Sequence, residues 1–252
     1  MRNGVMVFLA LVLVLGLSWT GGSAQVVMEN HYLVYEVPQA YTFTGQITLI
    51  DQFRQFSTDF VELDKFATPV EKNGEPVFDY ERHQTWWMID DPQSIWWTLF
   101  DNQFGRQQWR VKDGRYLVLP AFKNQPGGGY PTMANHYKCY DAIGPPVDIT
   151  VLLVDQFYTY QMIAKDPVLF CNPVEKWVDG NMYPIAYPDA HLACYRLEPI
   201  MTTGWGALAS DQFGMWQLEL IEPCWLCLPT LKIEAVPNEP STWGKIKSLY
   251  SN

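Results

Sequence analysis

The run Ile149-Thr150-Val151-Leu152-Leu153-Val154 is apolar and rich in β-branched residues, stops at Asp155-Gln156-Phe157, and gives way to strand-like sequence from Tyr158 to Ala164. An apolar run interrupted by turn residues and then resumed predicts a β-hairpin. Related segments carry Phe104-Gly105 and Phe213-Gly214, placing glycine where a tight turn demands positive φ. No window of useful length shows helical periodicity, so the pattern predicts an all-β chain.

The same pattern recurs four times. His31, His83, His136 and His191 are followed, 22, 21, 21 and 22 residues later, by the phenylalanine of a Gln-Phe pair at Phe53, Phe104, Phe157 and Phe213. Sixteen residues further on stand Pro69, Pro120, Pro173 and Pro229, and three beyond them Lys72, Lys123, Lys176 and Lys232. These offsets define units 31–72, 83–123, 136–176 and 191–232, each expected to hold four short strands. His31-Tyr32 with Pro69-Val70-Glu71-Lys72 matches His136-Tyr137 with Pro173-Val174-Glu175-Lys176, which points to duplication of a two-unit domain. The stretch 124–135, with Gln125-Pro126-Gly127-Gly128-Gly129, reads as a linker between domains 31–123 and 136–232. One unit cannot bury its own apolar face, so tandem β-sandwich or small-barrel domains made from four repeated β units are expected.

The ends change the picture of where the chain works. Arg2, the apolar run Val5–Leu17 and Gly21-Gly22-Ser23-Ala24 predict a cleaved signal peptide over 1–24, and the run is shorter than the roughly 20 residues a spanning helix needs. An uncleaved anchor is the competing reading. Without Arg2 the formal charge moves from −10 to −11, and the remaining basic residues are scattered, which argues against nucleic acid as a partner. No later segment suggests a membrane span, so a secreted, periplasmic or cell-surface location is expected. The residues 233–252 form a polar tail, in which Trp243, Ile246 and Tyr250 have helical spacing.

Cysteines acquire meaning through the repeat. Three residues past the histidines stand Val34, Trp86, Cys139 and Cys194, and two before the prolines stand Ala67, Val118, Cys171 and Cys227. Both positions are cysteine in the same two units, as expected of bonded pairs gained or lost together. This predicts Cys139–Cys171 and Cys194–Cys227 in an oxidising compartment. Cys224 is then a buried thiol; the alternative pairing of Cys194 with Cys224 would free Cys227 instead.

Candidate chemistry is sparse. The four histidines invite a metal site, but one per unit, each four residues before Tyr35, Trp87, Tyr140 or Tyr195, is better read as structural. Asp51, Asp155 and Asp211 precede Gln-Phe, yet Asn102 stands in the second unit, so a turn-forming oxygen suits the position better than a catalytic carboxylate. The repeated lysines read as charges guarding strand edges. No nucleophile elbow, zinc-protease helix, phosphate loop or calcium loop occurs, and no cofactor is implied. In the pairs Trp86-Trp87 and Trp96-Trp97, alternation along a strand should expose one ring of each, giving possible ligand-binding platforms.

His136, Cys139, Tyr140, Asp155, Gln156, Phe157, Cys171, Pro173 and Lys176, repeated as His191, Cys194, Tyr195, Asp211, Gln212, Phe213, Cys227, Pro229 and Lys232, spell H-x-x-C-Y, D-Q-F and C-x-P-x-x-K, the last preceded by Leu226 in the fourth unit and Phe170 in the third. The chain thereby resembles a domain family of unknown function found in secreted bacterial proteins. The resemblance implies export and a repeat architecture and says nothing of mechanism. Three functions follow as expectations: a non-catalytic structural or adhesive module; a carbohydrate- or ligand-binding protein using exposed tryptophans; or a hydrolase with an unrecognised site. A cell-surface protein or polysaccharide would be the partner of the first two.

Overall fold

The computed structural model describes residues 29–93, 96–125 and 127–236; the signal peptide expected at 1–24 and the tail beyond 236 lie outside the described residues. Each histidine starts or immediately precedes a short strand that is followed by a hairpin. The first unit contains β1 (Tyr32–Glu36), β2 (Thr42–Ile50), β3 (Gln55–Pro69) and a two-residue β4 (Glu71–Lys72). The second contains β5 (His83–Asp91), β6 (Trp96–Asn102) and β7 (Gly105–Lys123). In the third are β8 (His136–Ile143), β9 (Ile149–Val154) and β10 (Thr159–Val178), and β11 (Asn181–Tyr183) follows it before the fourth. The fourth has β12 (His191–Glu198), β13 (Trp205–Asp211), β14 (Gly214–Leu220) and β15 (Pro223–Val236).

The expected four short strands per unit are thus replaced by a short strand, an arm strand and a long return, which breaks in two at Val70 in the first unit and at 221–222 in the fourth. The reason lies in how burial changes along one strand. In β7 the first half alternates buried and exposed, while Leu117–Ala121 is buried throughout. Alternation means one face is covered, and continuous burial means two. Bulges on either side of Gly114 mark the change.

The fully buried parts close a ring. The pairings β1–β3, β3–β5, β5–β7, β7–β8, β8–β10, β10–β12, β12–β15 and β15–β1 are all antiparallel. Eight strands, two from each unit, therefore form one closed barrel. This corrects the expectation of separate domains at 31–123 and 136–232, because β7 and β8 pair directly across the segment 124–135.

Odd offsets from each histidine face the barrel interior. Tyr32, Val34, Trp86, Tyr137, Cys139, Leu192 and Cys194 pack there with Ala67, Val118, Cys171 and Cys227 in a cluster to which all eight strands contribute. Tyr116 and Trp225, on opposite strands of the ring, bring their rings to 5.8 Å across that interior. Both predicted disulfides, Cys139–Cys171 and Cys194–Cys227, are present here, and Cys224 is free. Even offsets face outward and are covered by the four hairpin arms, which build the larger core cluster.

The arms form a pinwheel. Three of the four arm tips stack on an aromatic ring at the base of the next arm: Phe53 on Trp96, Phe157 on Trp205, and Phe213 on Phe43. Each arm also reaches the far end of the return strand two units away. β2 pairs with β10 and β9 with β4, while β6 pairs with β15 and β13 with β7. Covering the ring inside and out corrects the tryptophan expectation as well. Trp86 lies in the interior and Trp87 under an arm, both fully buried, and Trp96 and Trp97 are half-buried.

Candidate functional site

The repeated Asp-Gln-Phe turns bring together most of the residues that the sequence singled out. One side-chain oxygen shapes each turn. Oδ1 of Asp51, Asp155 and Asp211 accepts from the backbone N–H of Phe53, Phe157 and Phe213 at 3.0, 2.9 and 2.7 Å, and Asn102 Oδ1 does the same for Phe104 at 2.8 Å. This is the turn-forming role, and Asn and Asp supply it equally.

The other terminal atom reaches the unit two places on. Asp51 Oδ2 accepts from Tyr140 Oη at 2.6 Å and Asn172 Nδ2 at 3.1 Å. Asp155 Oδ2 accepts from Tyr35 Oη at 2.7 Å and Thr68 Oγ1 at 2.9 Å. Asp211 Oδ2 accepts from Thr85 Oγ1 at 2.6 Å and Trp87 Nε1 at 3.1 Å. In the second unit Asn102 Nδ2 donates to Tyr195 Oη at 2.9 Å. The aromatic four residues after each histidine is therefore the latch partner of a turn across the barrel.

Glutamine and phenylalanine complete the latch. His31 Nε2 donates to Gln103 Oε1 at 3.0 Å, Gln156 Nε2 donates to His83 Nε2 at 2.8 Å, and Gln212 accepts from Lys176 Nζ beside His136. The lysine of every unit lies over the phenylalanine of the next. Lys72, Lys123, Lys176 and Lys232 stand 5.9, 4.3, 5.1 and 4.5 Å from the ring centroids of Phe104, Phe157, Phe213 and Phe53. The contact from Lys232 back to Phe53 closes the cycle. Edge guarding is therefore the wrong reading of these lysines: Lys72 and Lys176 are buried and end over a phenylalanine ring instead of in water, and burial pushes Lys176 well below its ordinary value.

The histidines stand at four separate corners. Among the described residues no three His, Cys, Asp or Glu side chains converge where they could share a metal ion. Burial lowers all four imidazoles, His83 to about 4 and His191 to about 3, with His136 well below its ordinary value. They are neutral in the fold, while the unfolded chain protonates near pH 6.5. Between those values the unfolded state binds more protons, so stability is complete above about pH 6.5 and falls as pH drops towards 4. The melting temperature should fall across this window, and His83→Gln should make the fall shallower. A melting temperature constant from pH 7 to 4.5 would refute the assignment.

The barrel end opposite the histidines carries a cluster that no motif announced. Lys65 Nζ donates to Glu36 Oε2 at 2.7 Å, lies 3.0 Å from Asp64 Oδ2 and stands 4.6 Å over the Trp225 ring. Tyr116 Oη donates to Asp64 Oδ2 at 2.6 Å, and Cys224 Sγ donates to the Val34 carbonyl at 3.3 Å. Beside it is a concavity of about 520 Å³ with Met88, Tyr116, Leu169 and Trp225 in its wall and Lys112, Arg115 and Asp141 among its charged lining. Burial disfavours charge on Lys65, but the Glu36 and Asp64 carboxylates beside it hold the ammonium. Burial pushes both the Cys224 thiol and the Tyr116 phenol well up. Chemically this is a paired cation with protonated neighbours, the opposite of an activated nucleophile. Trp225 and Lys65 could have been suspected from their shared place four residues before Pro229 and Pro69, where Tyr116 and Leu169 also fall.

A family described as Repeat of unknown function (DUF7450) matches residues 83–229, the second unit through most of the fourth. No curated protein and no solved structure matches the chain.

Proposed function

The chain belongs to the DUF7450 repeats of unknown function, and from that footing we propose that it is an exported, non-catalytic module with a structural or adhesive role outside the cytoplasm. One observation carries the reading. The side chains best able to do chemistry, the repeated Asp and Lys together with His31 and His83, are engaged in holding one unit to another. A catalytic site needs ionisable groups free to act on solvent-accessible substrate, whereas His83, Lys123 and Asp155, which line a concavity of about 250 Å³, are each held in contacts of the latch. Two disulfides inside the barrel support an oxidising compartment, as does the leader-like segment at 1–24.

The test pairs retention with turnover. Mature protein incubated with insoluble cell-envelope material should co-sediment with it in a saturable way and release no soluble fragment above background. Turnover that disappears on changing Asp155 or His83 would overturn the reading, because those residues would then be catalytic instead of structural.

A further inference from the structure

The third unit departs from the repeat at one place. In the first two units the lysine is followed directly by an asparagine with positive φ, Asn73 at 52° and Asn124 at 55°, whose side chain caps the opposing arm strand. Leu152 N donates to Asn73 Oδ1 at 2.8 Å and Leu208 N to Asn124 Oδ1 at 2.9 Å. The equivalent cap in the third unit is Asp179, with φ 47° and its Oδ1 accepting from Gln46 N at 3.1 Å. It stands three residues after Lys176 instead of one. Trp177 and Val178 are therefore an insertion, and β2 is longer to match. Gln46 lies five residues before its turn Asp51, whereas Leu152 and Leu208 lie three before Asp155 and Asp211.

The insertion extends a solvent-facing sheet surface. Trp177 pairs with Thr48 on one side and Met182 on the other, and Thr48 pairs with Ser57, giving a row across four strands. In the adjoining row Glu175 pairs with Ile50, and Ile50 with Gln55. Trp177 is 38% exposed and Met182 47%. The indole is fixed, because its Nε1 donates to Glu175 Oε1 at 2.8 Å. Gln46, Thr48, Gln55, Glu175 and Trp177 line a shallow concavity of about 300 Å³.

We propose that this surface, centred on Trp177, binds a neutral pyranose unit of a polysaccharide. An oriented indole offers a flat apolar area to the C–H face of a sugar ring, through dispersion and weak C–H···π contacts. Carboxamides, a hydroxyl and a carboxylate around it supply the donors and acceptors that ring hydroxyls require. No Lys or Arg lines the concavity and Glu175 adds a negative charge, so phosphate, uronate and sulfated chains are the wrong ligands. The site lies outside the latch and differs from the tryptophan pairs at 86–87 and 96–97.

Native affinity electrophoresis of the mature protein through gels containing a neutral β-glucan, mannan or xylan, with polygalacturonate as the anionic comparison, tests it. Retardation by at least one neutral polymer is expected, with Trp177→Ala weakening it at least tenfold and Gln55→Ala several-fold, at unchanged melting temperatures. No retardation by any neutral polymer, retardation by polygalacturonate alone, or undiminished binding in both variants would overturn the assignment. These results bear on the sugar site alone, because the structural or adhesive role is judged by envelope retention and turnover.

Discussion

Replacing Cys139 by Val and Cys171 by Ala should lower the unfolding free energy by about 3 to 4 kcal/mol while leaving the barrel closed. The substitution copies what the first unit carries at the same places, Val34 and Ala67, which face each other across β1 and β3. The ring thus already contains an unbridged pair of that shape, so little packing should be lost with the sulfur. What disappears is the constraint on the unfolded chain, a closed loop with a sequence separation of 32. The second bridge, Cys194–Cys227, has a separation of 33 and should behave alike. Removing both would cost roughly 6 to 8 kcal/mol, comparable to the whole stability of many domains. Urea unfolding of the single and double variants, with reduced wild type alongside, measures this. A loss below about 1 kcal/mol per bridge would mean that the unfolded chain is restrained by something other than sulfur.

Those pairs were legible because a disulfide leaves a paired signature in a repeat: both cysteines are present or both absent. The turn residues were legible for a similar reason, since Asn102 in place of Asp reveals that position's need for an oxygen and not a charge. Ring closure was not legible. Local alternation reports which face of a strand is covered and not which strand covers it, so the pairing of β1 with β15 has no counterpart in nearby sequence. The tryptophan pair 86–87 misleads by the same route, because alternation predicts exposure only where one face meets water. Lysine at a strand end suggests an edge until the next unit's phenylalanine is placed over it. The glycine-rich segment after Asn124 suggests a domain boundary, yet it is a connection between neighbouring strands of one ring. In each case the missing information is contact between units, which composition and spacing within one unit do not carry.

The latch makes a sharper prediction, because its four copies end on different partners. Asp155→Asn should cost less than about 1 kcal/mol. Its outer atom meets the hydroxyls of Tyr35 and Thr68, and a hydroxyl can turn from donor to acceptor, as Tyr195 already does for Asn102. Asp211→Asn has no such escape. Oδ2 meets the Trp87 indole N–H at 3.1 Å, and Oδ1 meets the Trp216 indole N–H at 3.1 Å together with the backbone N–H of Phe213 and Gly214. An indole nitrogen only donates, so either orientation of the new amide sets its NH₂ against a donor. Two effects oppose this cost. Asp211 is buried, and burial raises its carboxyl, so losing the charge relieves desolvation. Thr85 Oγ1 lies 3.2 Å from Trp87 Nε1 and can take over that one proton. With the amide oxygen kept on the turn donors, Thr85 Oγ1 must accept from both the new NH₂ and the indole, which leaves its own proton without a partner, and a buried unsatisfied donor costs about 1 to 3 kcal/mol. The expected loss for Asp211→Asn is therefore about 2 to 3 kcal/mol, and for Asp211→Ala about 3 to 5. Equilibrium unfolding of Asp155→Asn, Asp211→Asn and Asp211→Ala separates the cases. Equal costs for the two asparagine variants would show that the latch acts through its turn alone, and that the contact across the barrel contributes nothing.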